Sequence, residues 1–374
     1  MKKKIIISLI LFMIISVINN YYGSFYLNLY NNYYLKQLIW FLIGFIIIFV
    51  LSKLNIDYIL NKSLYLYLFG IFLLIITLFI GKNINGSKSW LFIFGLSFQP
   101  SEFMKIFLIL YLRYVYINYD MSNLKFILIS LLITIIPSIL VFLEPDTGPI
   151  ISYIVIWLTF IYLKRINKWY YIIGASTFLI LLVIFFYMYF YQTELFINIF
   201  GTNFFYRIDR IKLFLNNEGY QISTALKSIS LSNLFGIKTR VYFPEATTDF
   251  AITLLIANFG VVGLIIYLLI DIIFLKNMTT IKKDKLLVYP FVNVFIFQAI
   301  INLLMNVGLF PIIGITYPIL SYGGSSTLVY LILVAIIYNM DNKDYNYNHH
   351  SNCNHKKGKD SLDYSYKRDL HTQV

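Results

Sequence analysis

The chain has 374 residues, 59% of them hydrophobic, with a mean hydropathy of +0.75 and a formal net charge of +13. A water-soluble enzyme built round one buried core is excluded, because apolar runs near twenty residues recur and each is long enough to cross a bilayer. The single cysteine, Cys353, excludes a disulfide framework and any cysteine-based metal cluster.

Met1-Lys2-Lys3-Lys4 followed by apolar Ile5 to Ile18 has the look of a signal peptide. No small-residue cleavage site follows, so it reads as a retained first helix. Further spans are expected at about 36–52, 63–80, 101–117, 125–143, 147–163, 169–190, 250–275, 287–307 and 320–340, ten in all. The stretch 286–340 carries no charge, but Gly308, Pro311, Gly314 and Pro318 divide it into two spans.

The expected fold class is an all-α polytopic membrane protein of about ten transmembrane helices, with both termini cytoplasmic. With the N-terminus inside, most basic residues fall on inside segments, including Lys2–Lys4, Lys53, Lys62, Arg113, Lys164, Arg165, Lys282, Lys283 and Lys285. The positive charge is thus a topology signal with attraction to anionic lipid, and gives no support to nucleic-acid binding. One large extracytoplasmic loop, residues 191–249, is too long to be a mere connection. Inside it, Gln221 to Leu231 fits a short amphipathic helix on the membrane surface. Residues 81–100 read as a modest outer loop. The division expected is a membrane domain over 1–340 and a disordered cytoplasmic tail over 341–374, which has almost nothing apolar to bury. His349, His350, Cys353 and His355 in that tail read as solvated residues, and no metal ligands are assigned.

Five outer-side constellations bear chemistry. Asn85-Gly86-Ser87-Lys88-Ser89-Trp90 precedes Phe98-Gln99-Pro100-Ser101-Glu102-Phe103-Met104-Lys105. Pro100 and Ser101 suit a helix start, and Glu102 and Lys105, three apart, share one helical face. Charges within a span are better placed facing a cavity than lipid, although a local ion pair at a helix cap explains them too. Glu144-Pro145-Asp146-Thr147-Gly148 is a two-carboxylate turn whose Pro, Asp and Gly turn geometry alone explains. Tyr206-Arg207-Ile208-Asp209-Arg210, ahead of Gly219-Tyr220-Gln221, offers bidentate donors for phosphate or carboxylate, or is simply a solvated loop. Pro244-Glu245-Ala246-Thr247-Thr248-Asp249-Phe250 puts Asp249 at the lip of a span. There it is either a base facing a polar cavity or a helix-capping acid. Pro318-Ile319-Leu320-Ser321-Tyr322-Gly323-Gly324-Ser325-Ser326 lets backbone approach either a ligand or another helix.

In this order these motifs resemble the SEDS family, the RodA/FtsW/SpoVE-like shape, elongation, division and sporulation proteins. The resemblance runs from roughly Asn85 to Asn339. Its anchors are Asn85-Gly86, Phe98 to Phe103, Pro145-Asp146, Gly148, Arg207, Arg210, Phe214, Gly219-Tyr220-Gln221, Pro244-Glu245, Thr248-Asp249-Phe250 and Pro318 with Ser321 to Ser326. It implies a peptidoglycan glycosyltransferase that polymerises lipid II at the outer face of the bacterial cytoplasmic membrane. Undecaprenyl pyrophosphate is released, and a class B penicillin-binding protein is the implied partner. The family's essential aspartate falls on Asp249, and its glutamate and lysine fall on Glu102 and Lys105.

With Asp249 as catalytic base, the substrate-binding set expected is Glu102, Lys105, Lys88, Arg207, Arg210, Gln221, Glu245, Ser321, Gly323, Gly324 and Ser325. No cofactor is assigned, and a divalent cation is left open. The chain departs from the family pattern at Ser89, at Thr247, at Ala257-Asn258-Phe259-Gly260 and in the shortened stretch 234–240. Tyr206-Arg207, Gly219-Tyr220-Gln221 and Gly314-Ile315-Thr316 lean towards the FtsW/SpoVE branch. Two other classes stay open: a lipid-linked-sugar flippase and a non-catalytic scaffold for a transpeptidase.

Overall fold

The computed structural model describes residues 2–26, 32–84, 87–93, 96–202, 205, 219–236, 242–281 and 284–342. The chain divides into two units, Met1–Met340 and Asp341–Val374. The first is a bundle of helices: α1 (Lys2–Tyr26), α2 (Tyr33–Lys53), short α3 (Ile56–Asn61), α4 (Ser63–Ile80), α5 (Pro100–Asn118), α6 (Asn123–Leu143), α7 (Gly148–Leu163) and α8 (Lys168–Tyr191). These are followed by α9 (Thr193–Phe200), α10 (Tyr220–Leu231), α11 (Ala251–Thr279), α12 (Lys285–Asn306) and α13 (Gly324–Asn342). Every expected span is a helix, from 16 residues in α7 to 29 in α11. Residues 343–374, with the tail histidines and Cys353, lie outside the described residues, as do Asn85, Gly86, Arg207 and Arg210.

Among the described residues, seven helices are long and apolar enough to cross a membrane, namely α1, α2, α4, α6, α8, α11 and α12, and α7 and α13 are shorter apolar helices. The protein is a multi-pass membrane protein of all-α class. Helix α5 carries Glu102, Lys105 and Arg113, all buried, and packs against α4, α6, α7 and α12. Its charges are tolerable because they face protein rather than lipid. By contrast α8 is exposed along most of its length, and its one buried residue, Tyr189, packs on Phe196 of α9. Apolar side chains facing outward on α8, α6 and α4 are what lipid contact demands.

The stretch between α4 and α5, expected as a plain loop, is a small antiparallel sheet. Its strands β1 (Lys82–Ile84), β2 (Ser87–Ile93) and β3 (Leu96–Phe98) lie in sequence order. Pairing of Ile84 with Ser87 and of Ile93 with Leu96 leaves two residues for each connection, the length that favours tight hairpins.

Helix α11 is broken. Gly260 has φ 68° and ψ −168°, a conformation reserved for glycine, and divides the helix into an N-terminal piece over 251–259 and a longer remainder. The segment 233–236 packs into the break, where Val262 N donates to Leu234 O at 3.2 Å. A Cβ on Gly260 would lie 2.1 Å from Leu234 O, so no other residue fits. The N-terminal piece is buried almost throughout and packs against α1.

Candidate functional site

A cavity of about 660 Å³ opens at one end of the bundle. The first residues of α2, α5, α7 and α10, and the segments leading into α11 and α13, meet there: Tyr33, Glu102, Gly148, Gln221, Asp249 and Tyr322 all line it. Each helix N-terminus carries unsatisfied N–H groups and about half a unit of positive charge, so their convergence favours an anionic ligand. The β2 and β3 strands roof one side through Ser87, Ser89, Trp90, Phe92 and Ser97.

Set against that field are the carboxylates of Glu102, Asp146, Glu245 and Asp249. Glu102, in the first turn of α5, accepts from Lys105 Nζ at 2.7 Å. Lys105 is almost wholly buried behind it and is not itself at the cavity wall. Asp146 accepts from Gln99 Nε2 at 2.7 Å, and Glu245 accepts from Thr248 Oγ1 at 2.6 Å. Next to Asp146, Glu144 is fully buried, and neither side-chain oxygen has a hydrogen-bond partner among the described residues. Burial, with the neighbouring Asp146 charge behind it, raises the Glu144 carboxyl to about 9. On the far wall Tyr33 and Tyr322 lie with ring centroids 4.4 Å apart. Burial, and then Tyr33, push the Tyr322 hydroxyl up to about 12, keeping it a hydrogen-bond donor at neutral pH.

Asp249 lies in a run of turns, half-buried, one residue short of the N-cap, Phe250. Phe250 makes no side-chain cap bond, and the Thr253 N–H donates to Asn306 Oδ1 of α12 at 2.9 Å. The amide is therefore received by a side chain from another helix. The backbone around Asp249 is pinned from several sides. Asn302 Nδ2 and Asn306 Nδ2 donate to Asp249 O at 2.9 and 3.0 Å, Ser321 Oγ to Thr248 O at 2.6 Å, and Tyr322 N to Thr247 O at 2.7 Å.

Of the residues expected from sequence, the structure brings Asp249, Glu102, Gln221 and Glu245 to one cavity, with Lys105 bonded to Glu102. Lys88 goes elsewhere: it is exposed, and its Nζ donates to Leu78 O and Phe79 O at the end of α4. There it offsets the negative end of a helix dipole. Ser321, Gly323, Gly324 and Ser325 stand behind the wall, which Tyr322 and Ser326 form instead. Ser325 Oγ accepts from Gln99 N at 2.9 Å, and Gly323 N donates to Gln37 Oε1 at 3.3 Å. A Cβ on Gly324 would come within 2.2 Å of the Trp40 ring, so this glycine serves close helix packing. Arg207 and Arg210 lie outside the described residues.

Gln99 and Asp146 stood in the motifs but not in the expected binding set, and Gln298, Asn302 and Asn306 were not singled out by sequence reasoning. Gln298, Asn302 and Asn306 recur every four residues and so share one face of α12. Gln298 lines the cavity floor, donates to Ser152 Oγ at 3.0 Å and accepts from Tyr330 OH. That polar stripe within an apolar span was the available signal. Among the described residues, no group of three or more His, Cys, Asp or Glu is arranged to hold a metal ion.

Fold and cavity together define a multi-pass membrane protein with an acid-lined chamber where helix N-termini converge. The model of the FtsW/RodA/SpoVE cell cycle protein family matches residues 2–346, and the chain belongs to that family. A relative in Coxiella burnetii, named probable peptidoglycan glycosyltransferase FtsW, is 31% identical over 314 residues, covering 77% of this chain and 80% of its own. One of the same name in Wigglesworthia glossinidia brevipalpis is 30% identical over 302 residues, covering 73% and 74%. Among solved structures, a chain of a peptidoglycan synthase complex that coordinates polymerization and crosslinking matches with a TM-score of 0.75 at 21% identity, over 91% of this chain and 98% of that one. The rod shape-determining protein RodA of Thermus thermophilus matches with a TM-score of 0.67 at 19% identity, over 91% and 96%. At such identities these two structures bear on the fold.

Proposed function

We propose that this protein is an inverting peptidoglycan glycosyltransferase that polymerises lipid II at the outer face of the cytoplasmic membrane. The observation that carries the proposal is the placing of Asp249 at a cavity where helix N-termini converge, in a chain of this family. In the reaction, a sugar hydroxyl of the acceptor attacks the anomeric carbon of the donor. Asp249 takes the hydroxyl proton, the new C–O bond forms, and the bond from anomeric carbon to phosphate oxygen breaks with its electrons leaving on undecaprenyl pyrophosphate.

Pyrophosphate is already a good leaving group and needs charge stabilisation more than a proton. Helix N-termini and the Tyr322 hydroxyl supply donors there, and Arg207 and Arg210 are further candidates. Gln221 and Glu245, which line the same cavity, are the proposed partners of the sugar hydroxyls. A donor linked α reacts in a single displacement to give a β-linked glycan. A class B penicillin-binding protein is the proposed partner for cross-linking the strands. In this reading both termini are cytoplasmic, and the cavity faces outward.

Polymer formation from purified lipid II by the full chain in detergent or liposomes tests the reading. Glycan strands are expected from wild type and not from Asp249→Asn, both correctly folded. Wild type that moves labelled lipid across liposomes without making polymer points to a flippase. Wild type that does neither points to a scaffold.

A further inference from the structure

The segment carrying Asp249 is not held by its own helix. The first amides of an α-helix need acceptors, ordinarily from a Ser, Thr, Asp or Asn at the N-cap. Here the N-cap is Phe250, with no side chain able to accept. Asn306, from the end of α12, takes over: its Oδ1 accepts from both Thr253 N at 2.9 Å and Thr253 Oγ1 at 2.8 Å. The other end of the same carboxamide donates to Asp249 O at 3.0 Å. One planar group thus bridges the residue before the N-cap and the third residue of the helix.

Asn302, one turn earlier, doubles the hold. Its Nδ2 donates to Asp249 O at 2.9 Å and to Ile315 O at 2.8 Å, tying the turn to the loop after α12. The Asn302 backbone O and Oδ1 in turn accept from Asn306 Nδ2 at 2.8 and 3.0 Å, which fixes the Asn306 amide orientation. Both asparagines are fully buried. Carboxamides in an apolar interior are unfavourable unless their hydrogen bonds are made, and these make theirs to the backbone at Asp249 and its neighbours. A serine at position 250 would cap α11 with far less polar burial, so simple helix stability is a poor reason for this arrangement.

We infer that Asn302 and Asn306 are positioning residues for the glycosyl transfer: they set the main chain of Asp249 from α12, and through it the place of its carboxylate. The inference rests on the proposed role of Asp249 as base. Misplacing a reacting group by about 1 Å costs on the order of a hundredfold in rate. Loosening this clamp therefore lowers kcat while substrate binding, made by other walls of the cavity, is retained.

The test uses the purified full chain, lipid II polymerisation kinetics and thermal unfolding in detergent. Asn306→Asp keeps the acceptor for Thr253 and loses the donor to Asp249 O, and Asn302→Ala removes the second donor. Each is expected to lower kcat by roughly ten- to a hundredfold with KM within about threefold, and to shift the acidic limb of the kcat–pH profile as the surroundings of the carboxylate change. A merely structural role predicts less folded protein with KM and the pH midpoint unchanged in the folded fraction. Wild-type kcat in folded Asn306→Asp and Asn302→Ala, with Asp249→Asn inactive, overturns the inference alone. Near-normal polymerisation by Asp249→Asn overturns the reading of Asp249 itself. Failure of both asparagine variants to fold counts for a structural role and against positioning.

Discussion

Asp249 and Asp284 occupy the same place in the sequence pattern, each an acid just ahead of a long apolar helix, yet the structure uses them in opposite ways. Asp284 is the N-cap of α12: its Oδ1 accepts from Leu286 N at 3.1 Å, and its Oδ2 pairs with Arg113 Nε of α5 at 2.5 Å. Burial raises its pKa, with Arg113 pulling the other way. It is a structural acid whose partners satisfy it. Asp249 stands one residue further from its helix, at a cavity wall, and the amide an acid there would ordinarily receive goes to Asn306. Under the proposed reading, the carboxylate that acts is told from the one that caps by the source of the cap, which for α11 lies on a different helix.

The comparison breaks most visibly by neutralising each acid in turn. Asp249→Asn is expected to fold normally and to lose polymerisation by about 10²–10⁴-fold, the usual contribution of a general base. Activity within about threefold of wild type in the lipid II assay would place Asp249 with the structural acids. Arg113→Ala, in contrast, leaves Asp284 buried without its counter-charge and should destabilise the bundle by about 3–5 kcal/mol. The loss reads as a lower unfolding midpoint in denaturant, with the specific activity of surviving folded protein nearly unchanged. An Arg113→Ala variant of wild-type stability but impaired turnover would make that pair part of the site.

Glu144 sharpens the contrast, since it is fully buried and its carboxyl group meets no hydrogen-bond donor among the described residues. Its carboxyl titrates at about 9 against an ordinary 4.5. Between those values the folded state holds a proton that the unfolded state has lost, so stability falls as pH rises through that window. Glu144→Gln imitates the protonated form and removes the slope. The variant should gain on wild type from about pH 5 to about pH 9, by a few kcal/mol in all, because one bound proton changes stability by about 1.4 kcal/mol for each step of one in pH. Parallel melting-temperature curves over that range would contradict the burial argument. The smallest effect is expected at Lys88. Lys88→Ala removes an exposed contact with the end of α4, worth about 0.3–1 kcal/mol, and should leave polymerisation unaltered. A marked rise in KM for lipid II would return Lys88 to the site.

The spans were legible because a bilayer sets one length scale and apolar runs must meet it. That Asp249, Glu102, Gln221 and Glu245 line one cavity was legible from the order of the motifs, since capping or a local ion pair explained each acid taken singly. The hairpins were not read, although Asn85-Gly86 between alternating segments is a strong turn signal. Asn302 and Asn306 escaped notice because an uncharged carboxamide in an apolar span resembles tolerated polarity until its partners are known. The break at Gly260 was hidden for a similar reason: hydropathy measures what a segment is made of and not whether its backbone is continuous. Ser321, Gly324 and Ser325 were visible as motif residues, but the motif does not say whether its members touch a ligand or hold those that do.

That break makes α11 behave as two rods in place of one. The rod from 251 to 259 extends roughly 13 Å at about 1.5 Å per residue, under half of the ~30 Å hydrocarbon thickness. Such a fragment cannot hold itself across a bilayer, and it lies here as a short beam on two brackets. One bracket is the Asn302–Asn306 face under its leading end, and the other is the 233–236 turn wedged at its trailing end through Leu234. Asp249 is the overhang of that beam. A shift of the turn that follows α10 would tilt the overhang, giving residues 233–236 a mechanical hold on the carboxylate without touching it.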